Sequence, residues 1–429
     1  MYDSMGNIDK GNNTSAIKAL KKIVESGLDT EDTHLMLARL YSKEGQLDLL
    51  VKEFEKVIEI SSRKDEPFFK NKILNEIEIA QKKTILKSKP RGMGITLTAR
   101  CNLRCIMCRT YDQPWDISEK TVREIIEYMP YLQQILWQGG EVFLSDYFEE
   151  LFERATAYSN LKQLIVTSGV LIDEKWAKKL TRSYSSLVYS IDGVTKDTYE
   201  YIRRGAKFED LLKSINMVNE YRERYHYDSS VSNKFDIQMN AVIMKSNYHQ
   251  LIKFVDFAKK YKFGFLQLVP VQNMTGSENI FLHREPEAYN YIEKNMPEVL
   301  EKAKNWDIKL HNWLPPVNGA ISNVKQYRAQ EERIVNCSGF NYLPINTYGL
   351  LCYWPWQNLF LENGGRVSPY CYCPKEAGNA DKSSLKEIWN NEIMQLYRKK
   401  LLDNSFQDWC FYNCVAGIIT KEGLSLYWQ

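Results

Sequence analysis

Between residues 95 and 269, six short runs rich in β-branched and aromatic residues alternate with amphipathic helical stretches, and this alternation constrains the fold more than anything else in the chain. The predicted strands are Ile95–Thr98, Gln134–Trp137, Gln163–Thr167, Leu187–Ile191, Phe235–Ile243 and Phe263–Val269. Helical spacing fills the gaps at Glu119–Tyr128, Tyr147–Tyr158, Lys175–Arg182 and Thr198–Tyr225. Six β/α units in series predict an α/β fold: a parallel, partly closed (β/α)6 barrel whose chemistry sits on the loops at the C-terminal ends of its strands.

The first of those loops carries Cys101, Cys105 and Cys108, a C-x3-C-x2-C run. Three thiolates on one short loop can hold three irons of a [4Fe–4S] cube and leave the fourth iron open to a small molecule. A zinc site would want a fourth ligand close by, and neither His nor another Cys follows. The other six cysteines, Cys337, Cys352, Cys371, Cys373, Cys410 and Cys414, lie in the last hundred residues. An odd total of nine argues against complete disulfide pairing, and such clusters in a reducing compartment are more often metal sites.

This pattern resembles that of the radical S-adenosylmethionine (radical SAM) enzymes with a C-terminal SPASM or twitch extension, over roughly residues 92 to 414. The resemblance implies a [4Fe–4S] cluster on Cys101, Cys105 and Cys108, with AdoMet chelating the unique iron and cleaved to a 5′-deoxyadenosyl radical that abstracts a hydrogen atom from an unactivated carbon. It places Met107 beside the adenine. Trp137-Gln138-Gly139-Gly140-Glu141 resembles the family's GGE motif, where Gly139 and Gly140 let the backbone approach the AdoMet ammonium and Glu141 adds charge or orders the turn. Thr167-Ser168-Gly169 stands where Thr-Asn-Gly is frequent, so Ser168 is the expected ribose contact. Ser190-Ile191-Asp192-Gly193 resembles the S-[IL]-D-G signature, which puts Ser190, Asp192 and Arg203 at the cofactor, the serine and the arginine holding the AdoMet carboxylate. Asn240 and Val269 occupy strand positions that in related barrels touch ribose and adenine.

In the C-terminal region, Cys352, the Gly365-to-Cys373 stretch, Gly378-Asn379, Leu385-to-Asn390 and Cys410-x3-Cys414 follow one another in family order. The resemblance implies one auxiliary [4Fe–4S] cluster on Cys352, Cys371, Cys410 and Cys414. Cys371 and Cys373 alternate where the family often has adjacent cysteines, so Cys373 is the alternative ligand. Cys337 and Cys373 are then candidate hydrogen-atom donors to a substrate radical, against the reading of buried, inert thiols. His34, His226, His249, His283 and His311 form no cluster along the chain and need no ligand role.

The first 88 residues read as wholly helical. Ile17, Leu20, Ile23 and Val24 recur as Val51, Phe54, Val57 and Ile58, each 34 positions on, which with Ala38-to-Gly45 resembles tetratricopeptide units. A helical hairpin that only caps the barrel is the alternative. The basic segment from Lys87 to Gly92 reads as a linker, giving domains at 1–88 (helical repeat), 89–325 (radical SAM barrel) and 326–429 (small iron–sulfur domain). Lys and Arg number 57 against 54 Asp and Glu, so no field favours nucleic acid. No run approaches about 20 apolar residues, so a cytoplasmic protein without a membrane span is expected.

The expected substrate is a ribosomally made peptide. The alternatives are an epimerase or dehydrogenase of a sugar or aminocyclitol and, from a different class, a non-catalytic interaction protein on a degenerate barrel. Expected partners are AdoMet, the peptide or small-molecule substrate, an electron donor such as flavodoxin or ferredoxin, and a protein partner on the N-terminal helices.

Overall fold

The computed structural model describes residues 10–108, 114–226, 234–271, 276–314, 352–371, 373–403, 405–406 and 409. Four helices open it: α1 (Lys10–Glu25), α2 (Glu31–Lys43), α3 (Leu47–Ile60) and α4 (Pro67–Ala80). They are amphipathic, and Leu37, Tyr41, Leu50, Val51, Phe54 and Val57 bury the shared face. Ile23, expected on that face by the 34-residue recurrence, is 39 % exposed.

The next segment is not the free linker its basic character suggests. Glu78 accepts the Lys87 and Ser88 amides, Asn71 brackets Lys89 through both its amide and its carbonyl, and Asn75 donates to Ser88 Oγ and to Trp356 O. Arg91 is fully buried and pairs with Glu76 on α4. Charges this deep persist only when paired, so Arg91 through its side chain, and Lys87 to Lys89 through their backbone, tie α4 to the barrel.

Strands β1 (Gly92–Thr96), β2 (Gln134–Gln138), β3 (Lys162–Thr167), β4 (Ser185–Ser190), β5 (Asp236–Ile243) and β6 (Phe265–Pro270) run parallel. They alternate with α5 (Glu119–Tyr128), α6 (Phe148–Thr156), α7 (Glu174–Thr181), α8 (Lys196–Ile202), α9 (Phe208–His226) and α10 (Leu251–Lys260). The six expected units are present, and both edges are extended. After α11 (Pro286–Asn305), β7 (Lys309–Asn312) adds beside β6, and β8 (Asn358–Leu361) adds parallel to β1 on the far edge. β9 (Arg366–Ser368) and β10 (Gly378–Asn379) then follow antiparallel, giving the order β10-β9-β8-β1-β2-β3-β4-β5-β6-β7. The C-terminal region thus continues the barrel sheet.

Alternation along each strand separates two faces. Ile95, Trp137, Ile165, Leu187 and Ile237 lie in one register row and are all fully buried toward the helices. On the opposite, inner face, the register row Ser190, Asn240, Gln267 and His311 crosses β4 to β7 and holds only neutral hydrogen-bonding side chains. Among the described residues, no helix is long and apolar enough to cross a membrane.

Thr198–Tyr225, expected as one helix, is two. α8 ends at Ile202 and α9 starts at Phe208, with Gly205 between them at φ +95°, a left-handed conformation that a side chain would strain. This break positions the site.

Candidate active site

The cysteine loop leaves β1 and is held from both sides by backbone. Leu97 donates to Gln138 O, Gly140 to Thr98 O at 2.7 Å and Glu141 to Arg100 O at 2.9 Å, so the loop after β2 stays zipped to the loop after β1. That zipper requires the two glycines. A Cβ on Gly140 would stand 2.3 Å from Arg100 O, and one on Gly139, at φ +152°, 2.5 Å from Thr98 O. From the other side, the helix break frees carbonyls that α8 would otherwise use. Ile202 O accepts Ile106 N–H at 2.9 Å and Arg204 O accepts Arg104 N–H at 2.8 Å.

Within this clasp Cys105 is buried, while Cys101 and Cys108 are partly exposed. Burial pushes the Cys105 thiol up to about 11, against the opposing pull of the Arg203 guanidinium. Arg203 Nη1 lies 3.9 Å from Cys105 Sγ and its Nη2 lies 2.6 Å from Asp192 Oδ2. Asp192 Oδ1 accepts the Val242 amide, so the fourth strand's turn, the fifth strand and the cysteine loop meet at one buried ion pair. Among the described residues, no three His, Cys, Asp or Glu side chains close on a single ion.

Glu141 is buried, and both carboxylate oxygens are engaged. Thr167 Oγ1 donates to Oε1 at 2.7 Å, while the Ser168 amide and hydroxyl donate to Oε2. These bonds join the turn after β2 to the end of β3. Ser168 thereby directs its hydroxyl proton to Glu141 and keeps only lone pairs for another partner. Asn240, in register with Ser190, buries its Oδ1 without a donor among the described residues. Such an orphaned acceptor fits a hydroxyl brought by a ligand. Met107 packs with Ile106 and Val242 against Ile202, Met244 and Val271, and Val269 pairs in register with Val242, which makes an apolar corner beside the loop.

Farther along, Cys352 is buried and Cys371 and Cys373 are partly exposed just beyond β9. Trp354 lies against Tyr370 with ring centroids 4.1 Å apart. Trp115 Nε1 donates to Asp381 and Lys120 to the Ala380 and Ser383 carbonyls, which ties this region to the segment after the cysteine loop. Cys337, Cys410 and Cys414 lie outside the described residues.

Residues 95–258 match the sequence model of the Radical SAM superfamily. Residues 352–415 match that of the SPASM iron–sulfur cluster-binding domain. The chain carries a Radical SAM domain followed by a SPASM domain. It is 25 % identical over 328 residues to an AdoMet-dependent heme synthase of Methanosarcina barkeri, covering 73 % of this chain and 85 % of that one. A cysteine-type anaerobic sulfatase-maturating enzyme of Clostridium perfringens is 26 % identical over 230 residues, but the match spans 48 % of this chain and only 58 % of the relative. Among solved structures, Streptococcus suis SuiB bound to S-adenosylmethionine superposes with a TM-score of 0.55 at 16 % identity, covering 84 % of this chain and 81 % of that one. The same protein bound to its precursor peptide SuiA gives 0.54 at 15 %. At these identities the structural likeness establishes the fold.

Two contributors to the Radical SAM site were not read from the sequence: Thr167 completes the Glu141 network, and the α8–α9 break supplies two carbonyls to the cysteine loop. Asp192 was read as a cofactor residue, and its side chain pairs with Arg203. Of the two missed contributors, the break had a signal, Gly205 directly after two arginines.

Proposed function

We propose that this radical SAM/SPASM chain modifies a ribosomally made peptide. The observation that carries the radical SAM part is the doubly clasped cysteine loop, with its backbone hydrogen-bonded to the α8–α9 break and its flank zipped to the Gly139–Gly140 turn. Cys101, Cys105 and Cys108 would hold a [4Fe–4S] cluster with AdoMet on its unique iron, and the pair would supply hydrogen-atom abstraction from an unactivated carbon.

The chain's own residues then have defined tasks. The backbone at Gly139 and Gly140 and the polar groups of Ser190 and Asn240 orient the cofactor. Arg203, fixed by Asp192, offers positive charge on the cysteine side. The apolar corner of Met107, Val242 and Val269 excludes water from that end. In the SPASM domain, Cys352, Cys371 or Cys373, Cys410 and Cys414 would hold one auxiliary [4Fe–4S] cluster.

Two features support a peptide. Beyond the cofactor residues Ser190 and Asn240, the same register row continues with Gln267 and His311, neutral hydrogen-bonding side chains suited to amide groups rather than to a charged substrate. SuiB, a structure of the same fold, was crystallised with a precursor peptide.

Anaerobic reconstitution tests the reading. The expected result is about eight irons per chain, AdoMet cleavage under dithionite, and a mass change in a short peptide encoded beside this gene. Full iron loading without 5′-deoxyadenosine would overturn the enzyme reading. Turnover of an aminocyclitol or sugar with no change in the peptide would overturn the substrate.

A further inference from the structure

Tyr199 is fully buried, and among the described residues its hydroxyl has no hydrogen-bond partner. A buried hydroxyl without a partner costs free energy, so its persistence calls for an acceptor beyond the described residues. Its surroundings indicate where that acceptor belongs. Tyr199 and Arg203 are four residues apart at the end of α8, the Arg203 amide donating to Tyr199 O, so their side chains share one face of the helix. Arg203 on that face reaches Asp192 at 2.6 Å and Cys105 Sγ at 3.9 Å. The Tyr199 backbone is pressed against the Ser190-to-Gly193 turn, where a Cβ on Gly193 would stand 2.5 Å from Tyr199 N. The same helix ends at Ile202, whose carbonyl holds the cysteine loop.

Resting on the proposed function, we infer that Tyr199 is a positioning residue whose hydroxyl donates a hydrogen bond to an anionic acceptor of the bound cofactor, either a sulfur of the cluster on Cys101, Cys105 and Cys108 or the AdoMet carboxylate. Burial pushes the phenol well above its ordinary value, so it stays a donor at any working pH. Arg203 brings a full charge to the acceptor region and Tyr199 a neutral, directional bond. A hydrogen bond to cluster sulfur stabilises the reduced, more negative state and raises the potential. A hydrogen bond to the carboxylate strengthens AdoMet binding.

The test compares the reconstituted full chain with its Tyr199→Phe variant, which keeps the ring and deletes only the oxygen. Iron content and thermal unfolding of the metal-free chains come first, and deletion of an unpartnered hydroxyl leaves them unchanged or slightly raises stability. The midpoint potential of the first cluster is then measured without AdoMet, followed by AdoMet affinity and the shift in the reduced cluster's electron paramagnetic resonance signal on AdoMet addition. A more negative potential assigns the bond to sulfur. An unchanged potential with about tenfold weaker AdoMet binding assigns it to the carboxylate. Equal potential, affinity and resonance shift in variant and wild type overturn the inference while leaving the proposed function intact. A wild-type chain that takes up iron but neither binds nor cleaves AdoMet overturns both.

Discussion

Arg203 Nη2 lies 2.6 Å from Asp192 Oδ2, and neither side chain is more than 8 % exposed. Removing one member of such a pair strands a charge, whereas replacing both with apolar groups does not. Asp192→Ala is therefore expected to cost about 3–5 kcal/mol in the metal-free chain. The Asp192→Leu, Arg203→Met double variant should recover a large part of that, though not all, because the Val242 amide loses its acceptor in both. Urea unfolding of the four members of this cycle measures the coupling. Equal costs for Asp192→Ala and the double variant would rule out stabilisation through the pair.

Glu141 accepts three hydrogen bonds that join the end of β2 to the end of β3. In Glu141→Gln one oxygen becomes an amide that faces donors, so at least one of Thr167 and Ser168 loses its acceptor. The expected loss is about 1–3 kcal/mol of stability, with the Gly139–Gly140 turn loosened. Ser168→Ala should give a smaller loss, since it removes one donor and leaves two. Denaturation midpoints of the two variants check both the magnitude and the order.

The six β/α units and the placement of the cysteine triplet after β1 were legible because period-two apolar runs and their flanking helices are local patterns. The edge strands β7 and β8 were not legible. Lys309–Asn312 and Asn358–Leu361 are four residues each, and they become strands by pairing with β6 and β1, a long-range fact that no short window contains. The same limit hid the seam at residues 87–92. Basic side chains suggest solvent, but Arg91 is buried because Glu76, fifteen residues earlier, turns back to meet it. At the site, residue types pointed to Gly139, Gly140, Glu141 and Arg203. Which of them hold one another rather than a ligand depended on geometry, as the Glu141–Ser168 bonds illustrate.

Gly205 sets the break that gives the cysteine loop its second clasp. Its φ of +95° is unfavourable for any residue with a Cβ, and that atom would come within 3.3 Å of Asn102 O. Gly205→Ala is expected to destabilise the chain by about 1 kcal/mol or more and to speed amide exchange at Arg104 and Ile106, whose acceptors are Arg204 O and Ile202 O. Hydrogen exchange resolved to the 101–108 segment reads this directly. Unchanged protection there would show that the loop does not depend on the break.

His34 is a pH-dependent clasp in the N-terminal helices. It is buried, with Nδ1 2.6 Å from Glu53 Oε2 on α3 and Nε2 2.8 Å from Asp29 Oδ2. Burial alone would lower the imidazole, but the hydrogen bonds to Glu53 and Asp29 outweigh it and hold His34 above its ordinary value of 6.5. Between the ordinary and the raised value the folded state binds a proton that the unfolded state releases. The clasp's stabilisation is therefore complete below about pH 6.5 and is lost as pH rises through the raised value. Asp29 closes the window on the acid side. Its hydrogen bond to His34 lowers its carboxyl, so its share is present above its ordinary value of 3.8 and disappears as pH falls through the lowered one. Thermal unfolding of the full chain should therefore separate wild type from His34→Gln more at about pH 6 than at about pH 9. Exchange of the α2 and α3 amides should follow the same trend. A constant difference across that range would mean that His34 is held neutral and acts only by packing.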